Sequence, residues 1–229
     1  MAIIKTKETQ VKPTVFTATA VFLLFAVANA LPTIPPQVLC LPVVILCIVS
    51  FWLAPWEISL ALLFSALGDL SGSCGNLLPQ MGFFTTAQIF YIIFFIRRYH
   101  RKVEPDRKLT EKAKGYLAMI IFCVIALLVI IFTKIAPEAP SGIIRTGVYI
   151  YSVVICTMLI TALLQRSMLY AVGALLFVTS DFLLALNMFV QPIPHADIFV
   201  LSTYFIAQWL IFVRSTPYRV SHPIHLLRF

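Results

Sequence analysis

The sequence predicts an all-α fold, a polytopic membrane bundle of eight transmembrane helices that forms a single integral membrane domain over residues 1–229. Composition is the first reason: 61% of the residues are hydrophobic, 11% are charged, and the mean hydropathy is +0.97. A soluble domain holds about 45–50% apolar and about 25% charged residues, so a soluble globular fold is excluded. A disordered chain is also excluded, because disorder requires few apolar and many charged residues. The second reason is that apolar runs of roughly 17 or more residues recur along the chain, each long enough to cross a bilayer.

The spans follow from these apolar runs and from the Pro- and Gly-containing breaks between them. They cover residues 15–31, 37–53, 58–77, 79–97, 115–133, 143–164, 168–190 and 197–214. The first run follows three lysines as in a signal peptide, but it is long and no small-residue cleavage site follows, so we expect an uncleaved helix. The boundary between the third and fourth spans stays open, because Asn76–Met81 could belong to either.

The distribution of basic residues predicts the orientation. With the N-terminus inside, the inner segments hold 15 of the 17 Lys and Arg residues, and only Lys134 and Arg145 lie outside. This bias predicts that both termini are cytoplasmic and, for a bacterial source, that the protein lies in the inner membrane. The net charge of +8 would otherwise suggest a nucleic-acid partner. Because the largest basic cluster, 97–114, flanks a span, we expect it to contact anionic lipid headgroups of the bilayer, with no nucleic acid bound.

A weak internal repeat relates the two halves of the chain. The segment Ala61–Phe64 precedes Asp69, and Ala174–Phe177, which has the same four letters, precedes Asp181. An Ala-Gln pair follows in the next span of each half. The pattern indicates two parallel four-helix halves related about the membrane normal. The alternative is a chance match, because this tetrapeptide is common in membrane helices.

Two acidic residues, Asp69 and Asp181, lie deep within predicted spans, whereas the other seven lie in tails, loops or rims. A carboxylate at bilayer depth is costly, so such residues face the bundle interior and usually have a function. Both lie about 17–20 Å from the predicted start of their span, at the rise of an α-helix, and both spans run outward. They are therefore expected to meet at one level, just outside the midplane, if their helices are neighbours.

Two carboxyl groups in a site without water should not both ionise, which leaves one acid beside one carboxylate. This is a general acid–base pair, and we predict that both residues are catalytic. The alternative is that each Asp is structural, capping the backbone or bonding a neighbouring Tyr. Other polar side chains are placed to surround the pair as substrate-binding residues, although they could equally hold helices together. They are Ser65, Gln88, Tyr91, Ser180, Asn187, Tyr204 and Gln208.

Several kinds of site are not predicted. The four histidines, His100, His195, His222 and His225, all lie outside the spans, so a zinc hydrolase within the membrane is not expected. The chain has no HExxH, GxSxG or phosphate-binding loop. None of the five cysteines has metal-ligand spacing. We therefore expect no metal and no cofactor, and the sequence makes no prediction of oligomeric state.

Four motifs resemble those of the YhhN-like, lysoplasmalogenase-type family of eight-helix membrane proteins. The residues are Phe64–Asp69, Gly82 with Ala87–Tyr91, Phe177–Asp181, and Tyr204–Gln208. The resemblance covers about residues 15–214 and includes the LGD, S-D and closing Y-x-x-A-Q patterns in order. Two departures stand out: Gln88 replaces the usual His of the fourth helix, and no Lys precedes Pro42.

The resemblance implies a membrane hydrolase that cleaves the vinyl-ether bond of a lysophospholipid, giving a fatty aldehyde and a glycerophospho-alcohol. Paired carboxyl groups suit this reaction, because one can protonate carbon and the other can stabilise the cation and activate water. A proton-coupled transporter or lipid carrier would suit the same pair. An intramembrane aspartyl protease fits poorly, since Ala66–Asp69 lacks a G-x-G-D motif. A purely structural membrane protein is the remaining alternative.

Overall fold

The structure, a computed structural model, describes residues 19–20, 22–23, 40–102 and 111–221. Most of the predicted first span, 15–31, lies outside the described residues. Within the described ranges the regular elements are all helices, which confirms the all-α class. They are α1 (Leu41–Leu53), α2 (Trp56–Ser73), α3 (Leu77–Lys102), α4 (Glu111–Ile130), α5 (Ile143–Leu163), α6 (Met168–Phe189) and α7 (Ala196–Ser221). Helices α1 to α7 correspond to the second to eighth predicted spans.

The helix boundaries agree best in the second half of the chain, where α5 and α6 match the predicted spans to within one residue. Helix α2 ends at Ser73, four residues earlier than predicted. The chain turns there through Gly75, whose φ of +75° is readily adopted only by glycine. The apolar stretch after this turn therefore belongs to α3, which begins at Leu77. Helices α3 and α7 continue beyond their predicted ends, to Lys102 and Ser221.

Five described helical segments are long and apolar enough to cross a membrane. They are α3, α5, α6, α7 and the segment Gly115–Glu138, which contains most of α4 and its continuation. Helix α1 is apolar but has only 13 residues, fewer than the roughly 20 that a straight crossing needs. Helix α2 has 18 residues and contains Glu57 and Asp69. The protein is thus an integral, multi-pass membrane protein, although eight separate crossings are not established by these helices.

Helices α2 and α3 form one antiparallel hairpin, and α6 and α7 form a second. Gly68 and Gly72 let α3 approach α2 closely. A Cβ atom at Gly68 would lie 2.9 Å from the Phe84 ring, and one at Gly72 would lie 2.5 Å from the Gln80 amide. Small residues four apart commonly make such contacts between membrane helices. The close approach fixes the register that brings α3 side chains beside Asp69.

The two ends of the bundle differ. We call the end where α2 and α6 finish and α3 and α5 begin the far end, and the opposite end the basic end. At the basic end, Arg97 forms a 2.7 Å ion pair with Glu57. The buried Arg98 donates a 3.0 Å hydrogen bond to Gln165, and its guanidinium lies 4.9 Å from the centre of the Tyr170 ring. These contacts link α2, α3, the α5–α6 connection and α6, so the basic end is tightly packed.

Candidate functional site

The candidate site begins with a cavity of about 90 Å³ toward the far end. Its walls come from the first third of α3, the first half of α5, the second half of α6, and a π-helical segment, Ile131–Ile135, that continues α4. Such π-helical turns are frequent at functional sites. Most of the lining is aliphatic or aromatic. The polar side chains among the lining residues are Gln80, Tyr151, Ser152 and Asp181.

Asp181 is the only carboxyl group among the described residues that line this cavity. The Tyr151 hydroxyl donates a hydrogen bond to Asp181 Oδ2. Tyr151 also lines the cavity, from α5, so the Asp181–Tyr151 pair joins two helices beneath the same apolar space. A partly buried carboxyl group thus has one oxygen bound by a phenol and lies in the wall of a mainly apolar cavity.

Asp69 has a similar partner in a different setting. The Tyr204 hydroxyl on α7 donates a 3.0 Å hydrogen bond to Asp69 Oδ2 on α2. The Tyr204 ring packs edge-on against Phe84 and Phe177, at 5.9 and 5.4 Å between ring centres. Asp69 itself is not among the residues lining the cavity. The phenol that binds this carboxyl group is therefore part of an aromatic layer formed by Phe84, Phe177 and Tyr204.

The two carboxyl groups lie at the same depth in their hairpins. Each is 13 residues beyond the first residue of its helix, Trp56 in α2 and Met168 in α6. At 1.5 Å per residue this is about 20 Å along each helix. The structure therefore places the two acidic residues at equal depth in α2 and α6.

Three further predicted residues, Gln88, Tyr91 and Gln208, are fully buried beside the carboxyl groups. The Tyr91 hydroxyl donates to Gln208 Oε1, which connects α3 to α7. The Gln208 side chain also lies near the Tyr204 hydroxyl. Gln88 lies near the Tyr151 hydroxyl. Side chains at these positions thus extend from the Asp69–Tyr204 pair toward the Asp181–Tyr151 pair.

Two predicted site residues have structural partners instead. Ser180 donates a 2.9 Å hydrogen bond to the Val200 carbonyl, which holds α6 against α7. Asn187 accepts a 2.8 Å hydrogen bond from the Ile193 backbone N–H, which orders the connection after α6. Neither residue lines the cavity. Both side chains are engaged in bonds that stabilise the second hairpin, and the structure does not bring Asn187 to the Asp pair.

Tyr151 and Gln80 were missed by the sequence reasoning. Tyr151 sits among apolar residues of the sixth predicted span, and no acidic residue nearby in sequence indicates its pairing. A search for a Tyr at the depth of each Asp would have found it, since buried phenols seek acceptors. Gln80 lies in Asn76–Met81, the stretch that could belong to the third or the fourth predicted span, and no feature of the sequence there indicates a site residue. The described residues contain no cluster of three His, Cys, Asp or Glu side chains that could hold a metal ion.

Comparison with known proteins identifies the family. The model of the YhhN family matches residues 36–215. The chain belongs to the YhhN family. Human lysoplasmalogenase TMEM86B is similar to it, with 28% identity over 213 residues that cover 87% of this chain and 83% of the human protein. Pig lysoplasmalogenase TMEM86B is 32% identical over 155 residues, which cover 66% of this chain and 59% of the pig protein.

A shorter match, to human lysoplasmalogenase TMEM86A, is 46% identical over 39 residues and covers 17% of this chain and 16% of that protein. No solved structure matches the chain significantly. The YhhN match runs from just before α1 to near the end of the described part of α7, so it contains both Asp–Tyr pairs and the whole cavity. The resemblance seen in the motifs is thereby confirmed, and a membrane hydrolase is the activity that the similar proteins suggest.

Proposed function

We propose that this YhhN protein hydrolyses the vinyl-ether bond of lysoplasmalogens, releasing a fatty aldehyde and a glycerophospho-alcohol. The observation that carries the proposal is Asp181, a carboxyl group held by Tyr151 in the wall of an otherwise mainly apolar cavity. An alkenyl chain is apolar, and its reacting bond needs an acid placed directly beside it. The named activity of the similar mammalian proteins agrees with this chemistry.

The proposed reaction begins with proton transfer from a carboxylic acid to the vinyl carbon that is not bonded to oxygen. The double bond supplies the electron pair, and an oxocarbenium ion forms at the other vinyl carbon. Water then adds to that carbon and loses a proton to a carboxylate, which gives a hemiacetal. The hemiacetal collapses to the aldehyde, and the glycerol oxygen leaves with a proton. The overall change consumes one water and needs neither a metal nor a cofactor.

The positions of the two carboxyl groups suggest different roles. Asp181 lines the cavity, so we assign it the proton transfer to carbon. Asp69, bound by the Tyr204 phenol, is assigned the role of the carboxylate that stabilises the cation and accepts a proton from water. Ser65, Gln88, Tyr91, Tyr204 and Gln208 are proposed to contact the polar part of the substrate. Ser180 and Asn187 are not kept in this set, because their side chains already bond the backbone.

We further propose that the single membrane domain crosses the bilayer eight times with both termini in the cytoplasm. The positive-inside distribution supports this orientation. The far end would then be extracytoplasmic, and the cavity would lie in the outer half of the membrane. The equal depth of Asp69 and Asp181 in two antiparallel hairpins supports two parallel halves. Labelling of single cysteines placed at the two ends by a membrane-impermeant reagent tests the orientation.

Incubation of the purified protein with a lysoplasmalogen tests the activity. Free fatty aldehyde should appear, and the matched ester lysolipid should release no fatty acid, because an ester has no vinyl carbon to protonate. The variant Asp181→Asn, reconstituted in the same lipid, is the control for contaminating activity. Absence of aldehyde from the wild-type protein would refute the proposed function. A proton-coupled transporter is not favoured, because the similar mammalian proteins are named as hydrolases.

A further inference from the structure

Three fully buried side chains near the carboxyl groups have polar atoms without a hydrogen-bond partner among the described residues. They are Ser65 Oγ, both amide atoms of Gln88, and Gln208 Nε2. Each of the three residues has 0% exposed surface. Leaving a buried donor or acceptor unpaired costs about 1–3 kcal/mol, and native proteins keep few such groups. Three in one region therefore indicate a function other than stabilising the fold.

The helix register places these side chains at one level. Gly68 on α2 lies against Phe84 on α3. Gly72, four residues later on α2, lies against Gln80, four residues earlier on α3, as expected for antiparallel helices. One turn further along the same pairing, Gln88 comes level with Phe64, so Ser65, the next residue of α2, lies about one residue from the level of Gln88. On the α7 side, Gln208 accepts the hydrogen bond from Tyr91, one turn after Gln88. The unpaired atoms thus lie about one helical turn from Asp69, toward the basic end.

Other buried serines of the bundle show that the lack of a partner is not general. Ser59, on the same helix as Ser65, donates to the Pro55 carbonyl. Ser152 on α5 donates to the Val148 carbonyl, and Ser215 on α7 donates to the Ile211 carbonyl. Each of these hydroxyl groups bonds a carbonyl of the preceding turn, the usual solution in membrane helices. Ser65 does not use this solution, so its hydroxyl stays available to a ligand.

We propose that Ser65, Gln88 and Gln208 bind a hydroxyl group during the reaction. The Gln88 amide offers one acceptor and donors, Gln208 Nε2 offers donors, and Ser65 Oγ can donate or accept. A hydroxyl group donates one hydrogen bond and accepts two, so this set matches it. In the proposed function, on which this inference rests, that chemistry has two sources: the water that attacks the oxocarbenium ion, and the free glycerol hydroxyl of a lysolipid.

Substitutions can separate a ligand role from a structural one. Ser65→Ala and Gln88→Leu remove the unpaired atoms, so they should leave the thermal unfolding midpoint unchanged or raised while kcat/KM falls about tenfold or more. Ser59→Ala is the matched control, a buried serine of the same helix whose hydroxyl is bonded. It should lower the unfolding midpoint slightly and keep the wild-type kcat/KM. The opposite pattern, a lower midpoint with full activity in the Ser65 and Gln88 variants, would overturn the proposal.

Ligand analogues distinguish the two sources. A saturated alkyl-ether lysolipid cannot be protonated at a vinyl carbon, so it binds without reacting. If the site holds the glycerol hydroxyl, this lipid should stabilise the wild-type protein in nanodiscs more than its analogue with hydrogen in place of the hydroxyl. The difference should vanish in Gln88→Leu. If the site holds the attacking water, both lipids should stabilise the wild-type protein equally. The Ser65 and Gln88 variants should then hydrolyse two vinyl-ether substrates, one with the glycerol hydroxyl and one without it, more slowly by the same factor.

The binding measurement also separates this inference from the proposed function. If the wild-type protein is stabilised more by the lipid with the hydroxyl group and Gln88→Leu is not, the hydroxyl site is supported, even when no aldehyde is formed. The absence of aldehyde would then refute only the hydrolase assignment. Equal binding of both lipids, together with wild-type hydrolysis by the Ser65 and Gln88 variants, would refute the hydroxyl site and leave the hydrolase assignment intact.

Discussion

The two Asp–Tyr pairs are alike in geometry and different in surroundings. Both aspartates lie 13 residues into the first helix of a hairpin, and both accept a hydrogen bond from a tyrosine on another helix. Asp181 and Tyr151, however, line the cavity. Asp69 is bound by Tyr204, whose ring packs against Phe84 and Phe177. The same local motif thus has one copy in the wall of the cavity and one copy outside that wall.

The residue before each Asp explains part of this difference. Gly68 precedes Asp69, and its lack of a side chain lets the Phe84 ring cover α2 at that level. Ser180 precedes Asp181 and bonds the Val200 carbonyl of the adjacent α7. A ring therefore approaches α2 at the residue before Asp69, whereas Asp181 lines the cavity. Neutral substitution should inactivate both pairs, whereas deletions of the phenol hydroxyl groups and changes to the cavity wall should affect the two pairs differently.

The largest expected effect comes from neutralising either carboxyl group. Asp69→Asn and Asp181→Asn should each lower the rate of aldehyde release by at least about 100-fold, because Asn keeps the shape but cannot transfer the proton, and general acid–base groups contribute about 10²–10⁴-fold. Asp197→Asn, at an exposed position in the first turn of α7, is the control and should be fully active. An Asn variant of the pair that keeps more than about a tenth of the wild-type rate would exclude that Asp as the acid or base.

The next largest effect is expected from removing the two phenol hydroxyl groups, which compares the roles of the two Asp–Tyr pairs directly. Tyr151→Phe should lower kcat about 10- to 100-fold, because it removes the donor that orients the substrate-facing carboxyl group. Tyr204→Phe should lower kcat less and destabilise the fold more, by about 1–3 kcal/mol, because Tyr204 is buried outside the cavity wall and its loss leaves Asp69 without its phenol donor. Tyr149→Phe, on the same helix as Tyr151, is the matched control. Equal kinetic and thermal effects at positions 151 and 204 would show that the two pairs have equivalent roles.

Much of this comparison could be predicted from the sequence, and the reason is the cost of charge in a membrane. The spans α5 and α6 are bounded by clear polar or Pro-containing segments, so their ends are predicted to within a residue. Asp69 and Asp181 are conspicuous because few acidic residues occur at bilayer depth. The alternative considered for them, a bond to a neighbouring Tyr, is what the structure contains at both positions. Such a bond is compatible with either a structural or a catalytic role.

The rest depends on contacts between helices that are distant in sequence. Tyr151 is 30 residues from Asp181, and Tyr204 is 135 residues from Asp69, so no local pattern reveals either bond. The same holds for Asn187, whose depth suggested a cavity residue but whose amide caps the turn at Ile193. Which face of a membrane helix meets the cavity is also weakly encoded, because lipid and protein neighbours are both apolar.

A change in the cavity wall should affect substrate size without changing the chemistry. Ala185 lines the cavity on α6, one turn beyond Asp181. Ala185→Leu adds three carbon atoms to a space of about 90 Å³. We expect KM for a long-chain lysoplasmalogen to rise about tenfold, at similar kcat, since loss of apolar contact reduces binding by about 0.8 kcal/mol per CH₂ displaced. KM for a short-chain substrate should change little. An equal effect on both chain lengths would show that the cavity does not hold the chain.

The smallest expected effect is at Gln88, where this chain departs from the usual His of its family. The side chain is fully buried, near Tyr151 and one turn from Tyr91, so it lies between the two pairs. A Gln amide can donate and accept hydrogen bonds but cannot titrate, whereas His ionises near pH 6.5.

If the position only orients a hydroxyl group, Gln88→His should keep the rate within a few-fold, with an unchanged pH profile. If the position transfers protons, the variant should gain a new limb near pH 6–7 and a rate at least about tenfold higher. We expect the unchanged profile, because a hydroxyl site between two Asp–Tyr pairs needs hydrogen-bonding geometry and no third titrating group. A pH–rate profile of wild type beside Gln88→His, measured on the same lysoplasmalogen, decides between the two roles.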